Sequence, residues 1–311
     1  LTNYVTTNTE QTITEAKTFS KDLSVNAITV GKGGGNQGSN IAFGTTALTS
    51  NTTGGSNTAI GHRTLSNNLG GGDNTAVGAN ALRFNTGNFS QLKGTYNTAL
   101  GSSSLNSNTE GSYNTATGAN ALSLNTLGNR NTAIGYNALE KNTNSYNTAI
   151  GSGALRNNTS GDNNTATGAD ALTSNTTGLY NTAYGSSTLL SNTTGAGNTA
   201  IGFNALSSNT TSNNTAMGNR ALQENTTGSN NTAIGTQAGR YIANGSTDNT
   251  TSDYSVYLGS ETKASADNAQ NEVVIGYNAI GAGSNTIQLG NTSVTNVKTS
   301  GTITAGSITY P

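Results

Sequence analysis

The chain has 311 residues, 41 of them Gly and only one Pro; 31% are hydrophobic, 9% are charged and the formal net charge is −1. A globular domain carries nearer half apolar and a quarter charged residues, and disordered chains are usually rich in charge or proline, so the composition fits neither class. The absence of a basic run argues against a nucleic-acid partner, no apolar stretch approaches the ~20 residues that cross a bilayer, and without cysteine there are no disulfides or thiolate metal sites.

Asn, Thr, Ser and Gly fill the gap, and these are turn formers. Such a chain folds only if its few apolar side chains recur in register. Residue 1 is Leu and the only methionine is Met217, so the sequence reads as a processed chain or a piece of a longer one.

Residues 1–39 read as an N-terminal connector, with β alternation at Leu23, Val25 and Ala27 and then a flexible glycine stretch at 31–35. From residue 40 a unit Asn-Thr-Ala-x-Gly recurs. It begins at Asn40 (with Ile41 for Thr) and continues at Asn57, Asn74, Asn97, Asn114 and Asn131, then at Asn147, Asn164, Asn181, Asn198, Asn214 and Asn231. The dominant spacing is 17 residues. Each glycine is followed three and four residues later by Ala-Leu or an equivalent, as at Ala47-Leu48 and Ala138-Leu139, and then by a turn such as Asn-Thr-Thr-Gly at 51–54. One unit therefore predicts a short strand, a tight corner, a second short strand and another turn. Seventeen residues leave no room for a typical helix of about 11–12 residues plus its connections.

The main roll of twelve repeats is expected over 40–238. Six extra residues lengthen its turn at 84–96, and an insertion loop occupies 239–254. The roll resumes over 255–290, where Val273-Val274-Ile275-Gly276 recurs as Ile287-Gln288-Leu289-Gly290, and 291–311 lead out as a Thr/Ser/Gly-rich stalk.

A single unit cannot stand alone. Fixing its backbone costs roughly 1–2 kcal/mol per residue, and one Leu and one Ile return only ~1.5–3 kcal/mol each. Stability must come from stacking each turn on its neighbours. The expected fold is all-β, an elongated parallel β-roll or β-solenoid of ~17-residue turns, and twelve turns ~4.8 Å apart would span roughly 55–60 Å.

Side chains alternate along a strand. Ala59 and its equivalents therefore point one way, into a narrow interior. The opposite face carries a column of large apolar residues, among them Ile60, Val77, Leu100, Ile134, Ile150, Ile201 and Ile234. Such a column is not left in water, so it is expected to be an oligomer interface between copies of the chain.

The Asn-Thr-Ala-Ile-Gly units resemble the head repeats of trimeric autotransporter adhesins, the YadA-like left-handed parallel β-roll, over roughly residues 40–290. The 17-residue version with Asn-Thr-Thr-Gly turns is similar to repeats in phage tail fibres and bacterial surface proteins that precede an endosialidase-type intramolecular chaperone. The tail at 291–301 resembles the stalk before that chaperone domain, and the segments Gln11-Thr12-Ile13 and 16–20 look like tail-fibre connector sequence. The resemblance implies a homotrimer, an extracellular setting on a bacterial surface or virion tail, and attachment as the function. The sequence departs from the adhesin pattern in placing Thr where that family prefers Val.

Enzyme chemistry finds little support. His62 is the only histidine and sits at a corner expected to face solvent; the 14 carboxylates are scattered, and Lys32 lies among glycines without a phosphate-loop pattern. Gly70-Gly71-Gly72-Asp73 resembles a calcium-binding turn but occurs once. No catalytic residue, metal or cofactor is expected. Stacked Asn residues can donate and accept along the axis as amide ladders.

The best ligand candidate is the residue before the motif Asn, which is Tyr96, Tyr113, Arg130 and Tyr146 on four consecutive turns. Aromatic faces with an interposed guanidinium suit stacking on a cell-surface glycan. Phe89 and Lys93 of the lengthened turn lie beside the column's start. A ladder that only stabilises the roll is the competing reading. Three functions remain open: an adhesive or receptor-binding fibre, a passive spacer, and, with less support, a polysaccharide depolymerase or ice-binding solenoid.

Overall fold

The computed structural model describes residues 21–298 and 300. The tail-fibre-like segments at 11–13 and 16–20, and most of the lead-out beyond 298, lie outside the described residues. Two strands, β1 (Leu23–Val25) and β2 (Ile28–Gly31), form an antiparallel hairpin, and β2 pairs antiparallel with β3 (Ile41–Gly44). Every later strand is added in parallel. They are β4 (Thr58–Ile60), β5 (Thr75–Val77), β6 (Thr98–Leu100), β7 (Thr115–Thr117) and β8 (Thr132–Ile134). Next come β9 (Thr148–Ile150), β10 (Thr165–Thr167), β11 (Thr182–Tyr184), β12 (Thr199–Ile201), β13 (Thr215–Met217) and β14 (Thr232–Ile234). The last three are β15 (Val256–Leu258), β16 (Val273–Ile275) and β17 (Ile287–Leu289). The register is one unit per turn throughout, with Ala59 opposite Ala76 and Ala133 opposite Ala149. The protein is a parallel β-solenoid.

Each turn holds one strand, not two. The Ala-Leu segment expected as a second strand is a turn, with every buried Leu in the left-handed region, φ 53° at Leu48 and 52° at Leu122. It still joins the stack, because Leu122 N–H donates to Ala138 O of the next turn at 3.0 Å. The chain must curve at this place to close a 17-residue circuit, and alternating side chains of an extended strand cannot put both Ala and Leu inside. The left-handed Leu does: Ala121 and Leu122 are both 0% exposed.

The interior is thus three side chains wide: the strand Ala, the turn Ala and the turn Leu. A polar wall completes it. The motif Asn residues stack as one ladder, and the Asn residues that open the Asn-Thr-Thr-Gly turn stack as a second. Asn164 shows the first. Its backbone N–H and its Nδ2 both donate to Asn147 Oδ1, at 3.0 and 3.3 Å, and its own Oδ1 accepts the same pair from Asn181. In the second ladder Asn175 Nδ2 donates to Asn158 Oδ1 at 2.8 Å. Both ladders then meet on one carbonyl, since Asn164 and Asn175 each donate Nδ2 to Gly178 O, at 2.8 and 3.0 Å. Where a unit is one residue short, Asn144 and Thr211 supply that carbonyl instead.

Glycine closes each strand for a steric reason. At Gly135 φ is 136°, and a Cβ there would stand 2.5 Å from Gly151 O in the next turn. The N-terminal glycines are also packed onto the first circuit. Gly34 N–H donates to Leu48 O at 2.8 Å and Asn51 Nδ2 donates back to Gly34 O at 3.2 Å. With the hairpin, this segment closes the N-terminal end of the roll. No helix among the described residues is long and apolar enough to cross a membrane.

Removing one amide tests the ladders. Asn164→Ala leaves the Asn181 N–H and amide without their buried acceptor and Gly178 O with one donor fewer. At about 1–3 kcal/mol for each stranded group, the denaturation midpoint is expected to fall clearly. An unchanged midpoint would mean that the ladder is dispensable.

Candidate functional site

The residue before each motif Asn is left-handed on almost every turn, with φ 57° at Ser56, 54° at Asp73 and 56° at Asn163. Asn, Asp and Gly tolerate that conformation, whereas a bulky side chain there is unusual. Tyr96 (φ 56°), Tyr113 (60°), Arg130 (55°) and Tyr146 (61°) occupy it on successive turns. Side-chain interactions must favour them against local preference.

The structure shows those interactions. The rings of Tyr96 and Tyr113 are stacked, 5.0 Å between centroids and 10° from parallel. The Arg130 guanidinium lies between the next two rings, 5.7 Å from the centroid of Tyr113 and 5.5 Å from that of Tyr146. It also donates from Nη1 to the Tyr146 hydroxyl at 2.6 Å. Asp73, one turn before Tyr96, extends the row. Its negative charge is the main cause that raises the Tyr96 phenol above its ordinary pKa, with burial second. The four residues proposed from sequence are therefore one continuous stack.

Stacking along the axis has a chemical consequence. Both faces of Tyr113 are covered, by Tyr96 and by Arg130, so the column offers its ring edges, hydroxyls and the remaining guanidinium N–H groups to solvent. All four side chains are exposed, Tyr113 to 43%.

The lengthened turn lies against this column. Lys93 Nζ forms an ion pair with Glu110 at 2.8 Å, Gly94 N–H donates to Glu110 O at 2.9 Å, and Ser112 Oγ donates to Leu92 O at 2.7 Å. Ser112 immediately precedes Tyr113, so the turn and the stack form one surface. Phe89 begins a single 3-10 turn, Phe89–Gln91, and its side chain lies outside the described part. His62 is exposed, as its position at a corner suggests, and Lys32 is exposed as well.

The second insertion, 239–254, reshapes the core. Tyr257 takes a strand Ala position and is fully buried, while Gly239 replaces the turn Leu of the preceding circuit. A Cβ on Gly239 would stand 2.6 Å from Tyr257 Cδ2, so the lost Leu makes the room that the ring fills. Beside it a hollow of about 220 Å³ is lined by Gln237, Tyr241, Gly245, Glu261 and Lys263. Sequence reasoning missed Tyr257, and also Glu272, which is buried where the first Asn ladder would continue. Its carboxylate accepts from Ser265 N–H at 3.1 Å and Gly283 N–H at 3.0 Å. The signal was present: both break the motif at a fixed register.

On the outer face of the sheet, Ile60, Val77, Leu100, Ile134, Ile150 and Ile234 are exposed, and Ile201 is half-buried. Ile134 is 40% exposed, against 0% for its neighbour Ala133. The strand is two-faced: Ala fills the roll and the aliphatic column stands outside it. Among the described residues, no group of three or more His, Asp or Glu side chains could hold a metal ion. The chain matches no known family model and no curated protein.

The Asp73–Tyr96 contact is testable by titration. Asp73→Asn removes the charge that disfavours the phenolate, so Tyr96 should ionise at lower pH than in the parent. NMR titration of the tyrosine ring carbons reads the shift, and no movement would break the link between the two side chains.

Proposed function

We propose that the chain is a segment of an extracellular fibre that mediates attachment to a cell surface, acting as a homo-oligomer. The observation that carries this reading is the exposed aliphatic column. It runs along the outer face from Phe43 to Leu289, with Tyr184 among its members and Thr117 and Thr167 interrupting it, and an apolar strip of this length belongs to an interface. The sequence resemblance to trimeric adhesin head repeats and phage tail fibres supplies the order of assembly, a trimer, and the setting, a bacterial surface or virion tail. The Tyr96–Tyr146 stack with Lys93 beside it is the receptor-facing candidate, taking a glycan through hydroxyls, ring edges and the Arg130 guanidinium.

One observation favours a passive spacer instead: the stacked rings cover each other's faces, as in a ladder that serves stability alone. Ice binding loses support for a related reason. The hydroxyls of half-buried Thr109 and Thr176 and of exposed Thr159 each donate to a carbonyl of the next turn at 3.0 Å, so they are committed within the roll.

Two experiments separate these readings. Ile134→Asp places an unpaired charge in the interface, which is costly, but leaves the roll's interior untouched. Light scattering should show the assembly falling to monomers while the β circular dichroism persists; an unchanged mass would put the column in water. Tyr113→Ala with Arg130→Ala should abolish binding to cells or to a glycan array with little change in melting temperature. A loss of stability without a selective binding defect would identify a structural ladder and a spacer.

A further inference from the structure

Two residues after the aliphatic column position, on the same outward side of the sheet, the chain carries a ring on every fourth turn. His62 follows β4, Tyr136 follows β8, Phe203 follows β12 and Tyr277 follows β16. The turns between carry Ala, Ser, Thr or Asn there, as at Ala79, Ser102 and Ser152. The rings are solvent-exposed: Tyr136 to 58% and Tyr277 to 64%, with Phe203 at 45% beneath the Arg220 guanidinium. Nothing inside the roll requires this spacing, because the core positions repeat every turn.

We infer that this ring row fixes the axial register in which copies of the chain lie side by side, an inference that rests on the homo-oligomer reading above. The occupant of the face is a second copy for two reasons. Fifteen strands ~4.8 Å apart and about 10 Å wide present ~700 Å², close to the ~800 Å² per partner of a standard stable interface. A partner must also match a repeat of ~4.8 Å over that whole length. A helix, with a pitch of about 5.4 Å, would drift by ~9 Å over fifteen turns, whereas another copy stays in step.

A repeating face creates a problem that the rings solve. Over most of the column, sliding one copy by a single turn sets Ile against Val, Leu or Met, and such swaps cost little; only Phe43, Thr117, Thr167 and Tyr184 differ in kind there. The column alone therefore marks register at only four irregularly spaced turns and leaves long runs of interchangeable levels between them. The rings do not interchange with Ala or Ser, so slips of one, two or three turns lose ring contacts at every level. A slip of four turns realigns three rings but leaves about a quarter of the strip uncovered. Closed three-fold symmetry makes the chains parallel, and in register each ring meets its equals at one height.

The natural lack of cysteine makes the test clean. Ser102→Cys, an exposed site in the ring row, carries a nitroxide label, and pulsed dipolar spectroscopy reads the distances between copies. The parent should give one narrow distance. The triple variant Tyr136→Ser, Phe203→Ser and Tyr277→Ser introduces a residue that the same position holds on other turns, so the fold is retained. It should remain oligomeric but give several distances, as slips of ~4.8 Å become populated. A narrow distance that survives in the triple variant overturns the register inference and leaves the oligomer reading intact. A parent that is monomeric overturns the oligomer reading itself, and its absent inter-label signal tells the two failures apart.

Discussion

The structure depends on one interaction, the amide-to-amide hydrogen bond between asparagines of successive turns. A chain with so few apolar residues cannot wall its interior with hydrocarbon alone. The two Asn ladders supply buried side chains whose donors and acceptors find partners above, below and on the shared turn carbonyl. Burying a polar group without a partner is what costs stability, so a repeating amide is an efficient filler only while the repeat holds. Its failure is visible at one end. Asn225 Oδ1 is buried with no donor, because the next amide in register, Asn249, turns its Nδ2 to Gly239 O and the Tyr257 hydroxyl instead.

The same reasoning explains why the strands are so short. Three residues per turn are enough when the Leu corner, the Asn walls and the glycine approach each make their own contact with the next turn. Every such contact reaches only the adjacent circuit, so the roll tolerates the lengthened turn at 84–96 and the loop at 239–254 without losing register in the flanking strands. Where the loop disturbs the interior, the change is compensated locally, with Gly239 yielding the volume that Tyr257 takes.

Period was the legible part of the sequence. The 17-residue spacing, the inward Ala and the outward Ile60, Ile134 and Ile234 follow from alternation and turn chemistry, and the structure has them so. The Leu corner was misread because periodicity marks which residues are apolar, not the sign of φ; nothing in Ala121-Leu122 announces a left-handed backbone. Clustering of Tyr96, Tyr113, Arg130 and Tyr146 was legible from their shared register. The direction of their ring faces was not, since it depends on χ angles that only the neighbouring rings set. Asp73 holds the same register one turn earlier, but a lone carboxylate there does not announce a contact with an aromatic row, and the Lys93–Glu110 pair beside it follows from no repeat position.

The ring row at His62, Tyr136, Phe203 and Tyr277 has a consequence for how such a gene can change length. Duplicating or deleting one 17-residue unit preserves every ladder, and the altered chain would fold as well as its parent. It would nonetheless place all rings beyond the change out of step with an unaltered copy. Mixed assemblies of the two lengths would then be disfavoured although both chains are sound. Recombination by four units keeps the rows commensurate, so unequal crossing-over in a population carrying this row should be tolerated in steps of four turns and selected against in steps of one.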